Sequence, residues 1–325
     1  MVTTSNTRRR AAAVVAGLVA LVLAVVVGLV VLGDKRPFLT PEQCTARTSD
    51  HSVALDVDQA RYAGLITAIA VQRGLPARAA SIALAAAYQE SDIRNLRGGD
   101  RDSLGLFQQR PSQGWGTPEE ILDPVYATNA FYDALVRIDG YEDMEITDAA
   151  QLVQRSGFPD AYADHAPDAR TLASALSGNS AHAFTCRLHG DVDEADRALT
   201  DGGLTERADV VRRDLEARFP GQPLGGFAPG GVTTGHQKGS AHYDGRAIDV
   251  FVRPVNPDNR IRGWAIAQYL VSQARRLDLR TVIFDDRIWT SGSSGDGWRD
   301  YDPPARSGDP AILEHRDHVH VDVHE

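Results

Sequence analysis

The sequence predicts a multidomain protein with an N-terminal transmembrane helix, an all-α domain and a small C-terminal α+β domain whose sheet is mainly antiparallel. Three observations predict it. Residues 11–32 are uncharged and apolar. Residues 56–187 carry apolar side chains at helical spacing. From Val232 onward, short runs of branched and aromatic residues flank one helical stretch and end on the strictly alternating His318-Val319-His320-Val321-Asp322-Val323. The 325 residues exceed the ~100–200 of one domain, and 24% charged residues argue against wholesale disorder. With 44 acidic against 34 basic residues, the net charge of −10 speaks against broad nucleic-acid binding, which needs surplus cations. Two cysteines are too few for a disulfide-built mini-protein or a Cys-ligated structural zinc.

The N-terminal run, Ala11 to Leu32, would extend about 33 Å as a helix, close to a ~30 Å bilayer core. Arg8, Arg9 and Arg10 precede it, so the tip is expected in the cytoplasm and the rest outside a cell membrane crossed once. A cleaved signal peptide is the alternative, but its apolar stretch is usually ~7–15 residues and ends at a small-x-small site, which is not evident before Asp34. Residues 1–33 are thus read as tip and anchor, and 34–55 as an extracytoplasmic linker. Outside the cytoplasm Cys44 and Cys186 can form one disulfide; two unrelated buried thiols are the other reading.

In the helical region, 56–187, Asp56 or Asp58 can cap a helix that runs to Arg73 and stops at Gly74. Pro76 suits the first turn of the next, on which Ile82, Ala86 and Glu90 share a face. Asp123-Pro124 opens another, with Phe131, Leu135 and Ile138 inward, and Thr147 can cap a short one through Arg155. Residues 188–231 read as a spacer helix (Leu204, Val211, Leu215, Phe219) followed by a Gly- and Pro-rich linker. In the last region, 232–325, Ala247 to Val252, Thr281 to Phe284 and His318 to Val323 read as strands, with a helix around Trp264, Val271 and Ala274.

Glu90 lies near the C-terminal end of its helix on the buried face. Partial desolvation and the negative end of the helix dipole both favour a protonated carboxyl, which suits a general acid acting on a glycosidic oxygen. The words around it are Tyr88-Gln89-Glu90-Ser91, Gly105-Leu106-Phe107-Gln108-Gln109 and Ala161-Tyr162-Ala163. Their order resembles the lysozyme-like fold of soluble lytic transglycosylases and goose-type lysozymes. The resemblance implies that Glu90 is the catalytic acid, Gln108 lines a sugar cleft and Tyr162 supports Glu90. One carboxylate suffices when the sugar's own 6-hydroxyl attacks; hydrolysis needs a second group to hold water, for which Asp100 or Asp102 is placed.

Ser240-Ala241-His242-Tyr243-Asp244-Gly245-Arg246-Ala247-Ile248-Asp249 sets a His and an Asp on a loop and the strand it feeds, and the chain's end adds Asp317-His318-Val319-His320. On a strand His318, His320 and Asp322 share one face. Neutral imidazoles with a carboxylate suit Zn²⁺, three protein ligands leaving a fourth position open. The Ser-x-His-x-x-Gly-x-Ala-x-Asp word with a His-x-His strand resembles the zinc metallopeptidases that include D-Ala-D-Ala carboxypeptidases, penicillin-insensitive endopeptidases and lysostaphin-type enzymes. The resemblance implies His242, Asp249 and His320 as zinc ligands, with the base open between His318 and Asp317.

A glycan-cleaving and a peptide-cleaving unit together point to peptidoglycan. The expectation is a membrane-anchored bacterial cell-wall hydrolase, with its N-terminal helix in the membrane, peptidoglycan as its polymer partner and no nucleic acid. Two alternatives stand beside it: a zinc peptidase with a glycan-binding but inactive lysozyme-like domain, and a non-enzymatic wall-binding or division scaffold.

Overall fold

The computed structural model describes residues 41–189, 192–304 and 308–325. Glu42–Glu325 form one compact unit. It opens with two short strands, β1 (Gln43–Arg47) and β2 (Ser52–Leu55). Six helices follow: α1 (Val57–Gln72), α2 (Ala77–Ser91), α3 (Pro118–Leu122), α4 (Pro124–Leu135), α5 (Ile146–Gln154) and α6 (Ala166–Leu176). Strand β3 (Phe184–Arg187) closes this half and returns beside β1, giving an antiparallel sheet in the order β2-β1-β3. After α7 (Glu206–Arg218) come β4 (Leu224–Gly225), β5 (Ala247–Phe251), α8 (Pro257–Gln273), β6 (Leu279–Phe284), β7 (Arg287–Thr290), β8 (Arg299–Asp300), α9 (Pro310–Leu313) and β9 (His318–Val323). The strands of the second half form one six-stranded sheet, β4-β5-β9-β6-β7-β8, antiparallel at every pair.

This corrects the expected fold class. The described chain is α+β with antiparallel sheets, and its helical half is not all-α. Strands β1 and β2 fall in the stretch read as a linker. They are only five and four residues long, but they bury alternate side chains, Cys44 and Ala46 on one and Val53 and Leu55 on the other. As for the expected transmembrane helix, no helix among the described residues is long and apolar enough to cross a membrane. Ala11 to Leu32, on which that expectation rested, lie outside the described residues.

The local signals mostly act as their chemistry requires. Asp56 caps α1 in a reciprocal box: its carboxylate accepts from Gln59 N at 2.9 Å, and Gln59 Oε1 accepts from Asp56 N at 3.0 Å. Gly74 follows α1 with φ +67°. Thr147 does not cap α5, which starts one residue earlier; its hydroxyl donates to Pro159 O at 3.0 Å, tying the helix to the loop before Tyr162.

One apolar core runs from Cys44 to Val323 and includes both halves and the spacer helix, whose Leu204, Val211, Leu215 and Phe219 are all buried. Helix α8 is the shared wall. Fully buried Gln268 accepts from Phe184 N at 2.6 Å and donates to Ala175 O at 2.6 Å, so a polar side chain stitches the second half to the first. Gln273 does the same through Arg61 O at 3.0 Å. The fit is close: a Cβ on Gly64 would stand 2.0 Å from Ser272 Oγ.

Cys44 and Cys186 face each other in the β1–β3 register and form a disulfide across 142 residues of sequence. Closing so long a loop restricts the unfolded chain, so the Cys44→Ser/Cys186→Ser variant is expected to lose ~2–5 kcal/mol. Denaturant unfolding of both forms measures it.

Candidate functional site

The loop before β5 and the last strand, β9, build the main site. Each position of the Ser-x-His-x-x-Gly-x-Ala-x-Asp word has a local reason. Ser240 caps a short 3₁₀ turn, Ala241–Asp244, by accepting from His242 N. Gly245 ends that turn at φ +65°, where an added Cβ would stand 2.5 Å from Leu199 and 2.8 Å from Gly203 O. Ala247 starts β5 with no exposed surface. Two residues on, Asp249 stands directly opposite His320 in the β5–β9 register. The alternation of β9 puts His318, His320 and Asp322 on the face that lines the cavity, as expected.

Three donor atoms meet as a triangle. His242 Nε2, Asp249 Oδ1 and His320 Nδ1 are separated by 3.2 Å along each edge. Donors about 2.0–2.1 Å from one tetrahedral ion would stand ~3.3–3.4 Å apart, so this triangle is close to one face of such a polyhedron. The set is right in chemistry as well as size: two imidazoles and a carboxylate, each under 10% exposed.

Outer partners fix which nitrogen of each ring points inward. His242 Nδ1 lies 2.7 Å from Gly226 O, and a carbonyl only accepts, so Nδ1 carries the proton and Nε2 offers its lone pair. His320 is turned the other way, with Nδ1 in the triangle and Nε2 3.4 Å from Asp322 Oδ2. Burial opposes charge on His320, but its bonds to Asp249 and Asp322 outweigh that and hold its pKa up at about 9. Burial likewise opposes charge on Asp249, yet the two histidines keep its carboxyl well below the usual carboxylate range.

Beside the triangle lies a second line of groups. His318 Nδ1 is 2.7 Å from Asp317 Oδ1, while its Nε2 is 3.8 Å from Asp249 Oδ1. Asp317 turns its other oxygen to Arg253, 2.7 Å from Nε. Burial works against the Asp317 anion, but His318 and Arg253 prevail and depress its pKa. His318 and Arg253 border a cavity of about 410 Å³, whose wall also carries Lys238, Arg280 and Tyr301.

Several residues here carried no legible signal in the sequence. Gly226 sits at φ +79° under His242, where a Cβ would stand 2.3 Å from Cε1 and 2.6 Å from Nδ1. His236 stacks on His242 with ring centroids 3.9 Å apart. Half-buried His315 faces His318 at 4.6 Å between centroids. Gly226→Ala should push His242 off its carbonyl, and any Zn²⁺ binding by the triangle should then weaken by ~10–100-fold, as loss of an outer partner does. A metal titration followed by calorimetry checks this.

Glu90 occupies a separate place in the last turn of α2. Tyr162, wholly buried, donates its hydroxyl to Glu90 Oε1 at 2.6 Å. Burial raises the Glu90 pKa, and the bonds from Tyr162 and Gln154 restrain the rise without cancelling it. Next to it Ser91 donates to Leu106 O at 2.6 Å, which anchors the Gly105–Gln109 turn to the helix end. Gln108 does not bond to Glu90 itself; its amide donates to Gly105 O at 3.1 Å. Asp102 has both oxygens engaged, by Arg110 Nε at 2.6 Å and Ser112 N at 2.9 Å.

Residues 200–311, about a third of the chain, match the family described as VldE, C-terminal domain. The matched stretch holds His236, His242 and Asp249 and stops short of Asp317, His318 and His320. No curated protein matches the chain significantly.

Proposed function

We propose that this chain is a peptidoglycan hydrolase whose C-terminal half cleaves a peptide amide with the help of Zn²⁺ and whose helical half cleaves the glycan strand. The observation that carries the reading is the 3.2 Å triangle of His242 Nε2, Asp249 Oδ1 and His320 Nδ1. When bound, Zn²⁺ would supply a polarised carbonyl and a water acidic enough to attack near neutral pH. The protein's own groups do the rest. Gly226 and Asp322 hold the two imidazoles in the ligating orientation. Asp317 accepts the Nδ1 proton of His318 and so orients Nε2 toward the triangle, where it would take a proton from an attacking water and pass it to the departing amine. Asp317 is then the orienting partner rather than the base, because its remaining oxygen is neutralised by Arg253.

In the helical half, the Tyr162 hydroxyl holds Glu90 Oε1, and burial favours the protonated carboxyl that a glycosidic oxygen requires. The engagement of both Asp102 oxygens leaves Asp100 as the group that could hold a water for hydrolysis, and without it attack falls to the sugar's own 6-hydroxyl. A setting outside the cytoplasm is supported by the Cys44–Cys186 bridge.

Purified peptidoglycan digested with the full chain, with and without chelator, tests both activities by mass spectrometry of the soluble products. New amide ends should vanish with chelator and return with Zn²⁺, while anhydro-sugar ends persist. No new amide ends under any condition would overturn the peptidase reading. Loss of every product with chelator would leave the helical half as a glycan-binding unit.

A further inference from the structure

The segment between β4 and the 3₁₀ turn passes over the metal-ligand triangle, and one of its side chains behaves unlike the others. Residues 233–235 and 237–239 are exposed, whereas His236 between them is partly buried. Its ring lies on that of His242, 3.9 Å between centroids and 21° between planes. Its donor atom falls within 4.8 Å of those of His242 and Asp249.

The placement is held by a specific device. Tyr243, the residue after the ligand His242, grips the backbone of His236 at both polar atoms: its hydroxyl accepts from His236 N at 3.0 Å and donates to His236 O at 2.7 Å. The same side chain packs its ring edge-on against the imidazole at 5.9 Å. On either side stand Gly235 at φ +94° and Gly239 at φ +79°, neither with any atom within 4 Å of where a Cβ would be. The loop is therefore tied through Tyr243 and flanked by two glycines whose backbone conformations are the least restricted of any residue.

We propose that His236 is a removable fourth ligand of the His242–Asp249–His320 site, latched over it by Tyr243 and withdrawn when substrate enters. The inference rests on the metal reading of that site. Ligands of one tetrahedral ion stand ~3.3–3.4 Å apart, so the His236 donor atom has to close by at most about 1.5 Å on those of His242 and Asp249. Three protein ligands leave a position for water or a substrate carbonyl, and a fourth imidazole fills it. In the latched state the protein binds metal more tightly and turns over less. Opening would be a ligand exchange: the His236 lone pair would give way to an oxygen lone pair, with no covalent bond changed and the two Tyr243 hydrogen bonds to the His236 backbone released.

The test uses the full chain and its His236→Ala and Tyr243→Phe variants, loaded with Zn²⁺ for calorimetry and with Co²⁺ for visible absorption. Losing a direct ligand should weaken Zn²⁺ binding by at least the ~10–100-fold that loss of an outer partner costs. The Co²⁺ spectrum should change as an oxygen replaces the imidazole, and amide cleavage should rise. Tyr243→Phe should move each quantity in the same direction by less. Equal Zn²⁺ affinity and an unchanged Co²⁺ spectrum in His236→Ala would overturn the latch while leaving the three-ligand site standing. Reduced cleavage with an unchanged spectrum would also overturn it, placing His236 on the substrate instead. No metal uptake by the unaltered chain would overturn both the latch and the site.

Discussion

Asp249→Asn should abolish metal-dependent amide cleavage while leaving the fold intact. The substitution keeps the shape of the side chain and removes its charge, the single anion among the three donors of the triangle. Asp249 Oδ1 is 3.2 Å from both His242 Nε2 and His320 Nδ1 and 3.8 Å from His318 Nε2, so three imidazoles are arranged around one carboxylate oxygen. A neutral amide in that place offers an ion a much weaker donor, and the loss should exceed the ~10–100-fold that an outer partner contributes. Amide cleavage should fall by at least about a thousandfold, equivalent to ~4 kcal/mol of barrier. Elemental analysis of dialysed protein and counting of new peptide ends measure the two effects. Wild-type metal content in the variant would remove Asp249 from the ligand set. The β5–β9 pairing is made by backbone, so the circular dichroism of the variant should match that of the parent.

What the sequence made legible were the local parts of this site. Ser240, Gly245 and Asp249 lie within ten residues, and each is needed for a conformation set by its near neighbours: a cap, a positive φ, a place on a strand. The alternation of His318, His320 and Asp322 likewise revealed their common face. It could not reveal that β9 pairs with β5, which brings His320 opposite Asp249 from 71 residues away. Gly226, His236 and Arg253 were invisible for a related reason. Nothing in their immediate sequence specifies that a carbonyl, a stacked ring and a guanidinium will arrive at this point; tertiary packing alone brings them. The union of the two halves was hidden in α8, where Gln268 has the composition of a surface residue yet has no exposed area because its amide bonds to the helical half. The sheet β2-β1-β3 escaped notice because strands of four and five residues give too few alternations to stand out from a linker.

Glu90→Gln should remove glycan cleavage by the helical half, by ~10²–10⁴-fold if the carboxyl serves as general acid, with the zinc-dependent amide cleavage unchanged. The pH dependence carries more information than the loss itself. Burial pushes the Glu90 carboxyl above its ordinary range, so the acid form persists to higher pH than in a free glutamate, and activity should decline as pH rises through the raised pKa. Tyr162 donates to Glu90 Oε1 at 2.6 Å, a bond that favours the anion. Tyr162→Phe removes that support, so the alkaline limb of the profile should move to higher pH even as the maximal rate falls. A limb that stays in place would separate Tyr162 from the titration of Glu90. Stability has the matching sign. The folded protein holds the Glu90 proton more tightly than the unfolded chain, so this group's favourable contribution is complete at low pH and disappears as pH rises through the folded pKa. Above the folded pKa the unaltered protein therefore keeps a partly desolvated carboxylate that destabilises it, and Glu90→Gln should melt at a higher temperature than the parent there while losing the glycan activity. The gap between the two melting temperatures should narrow on acidification, because protonation makes the native side chain as neutral as its replacement.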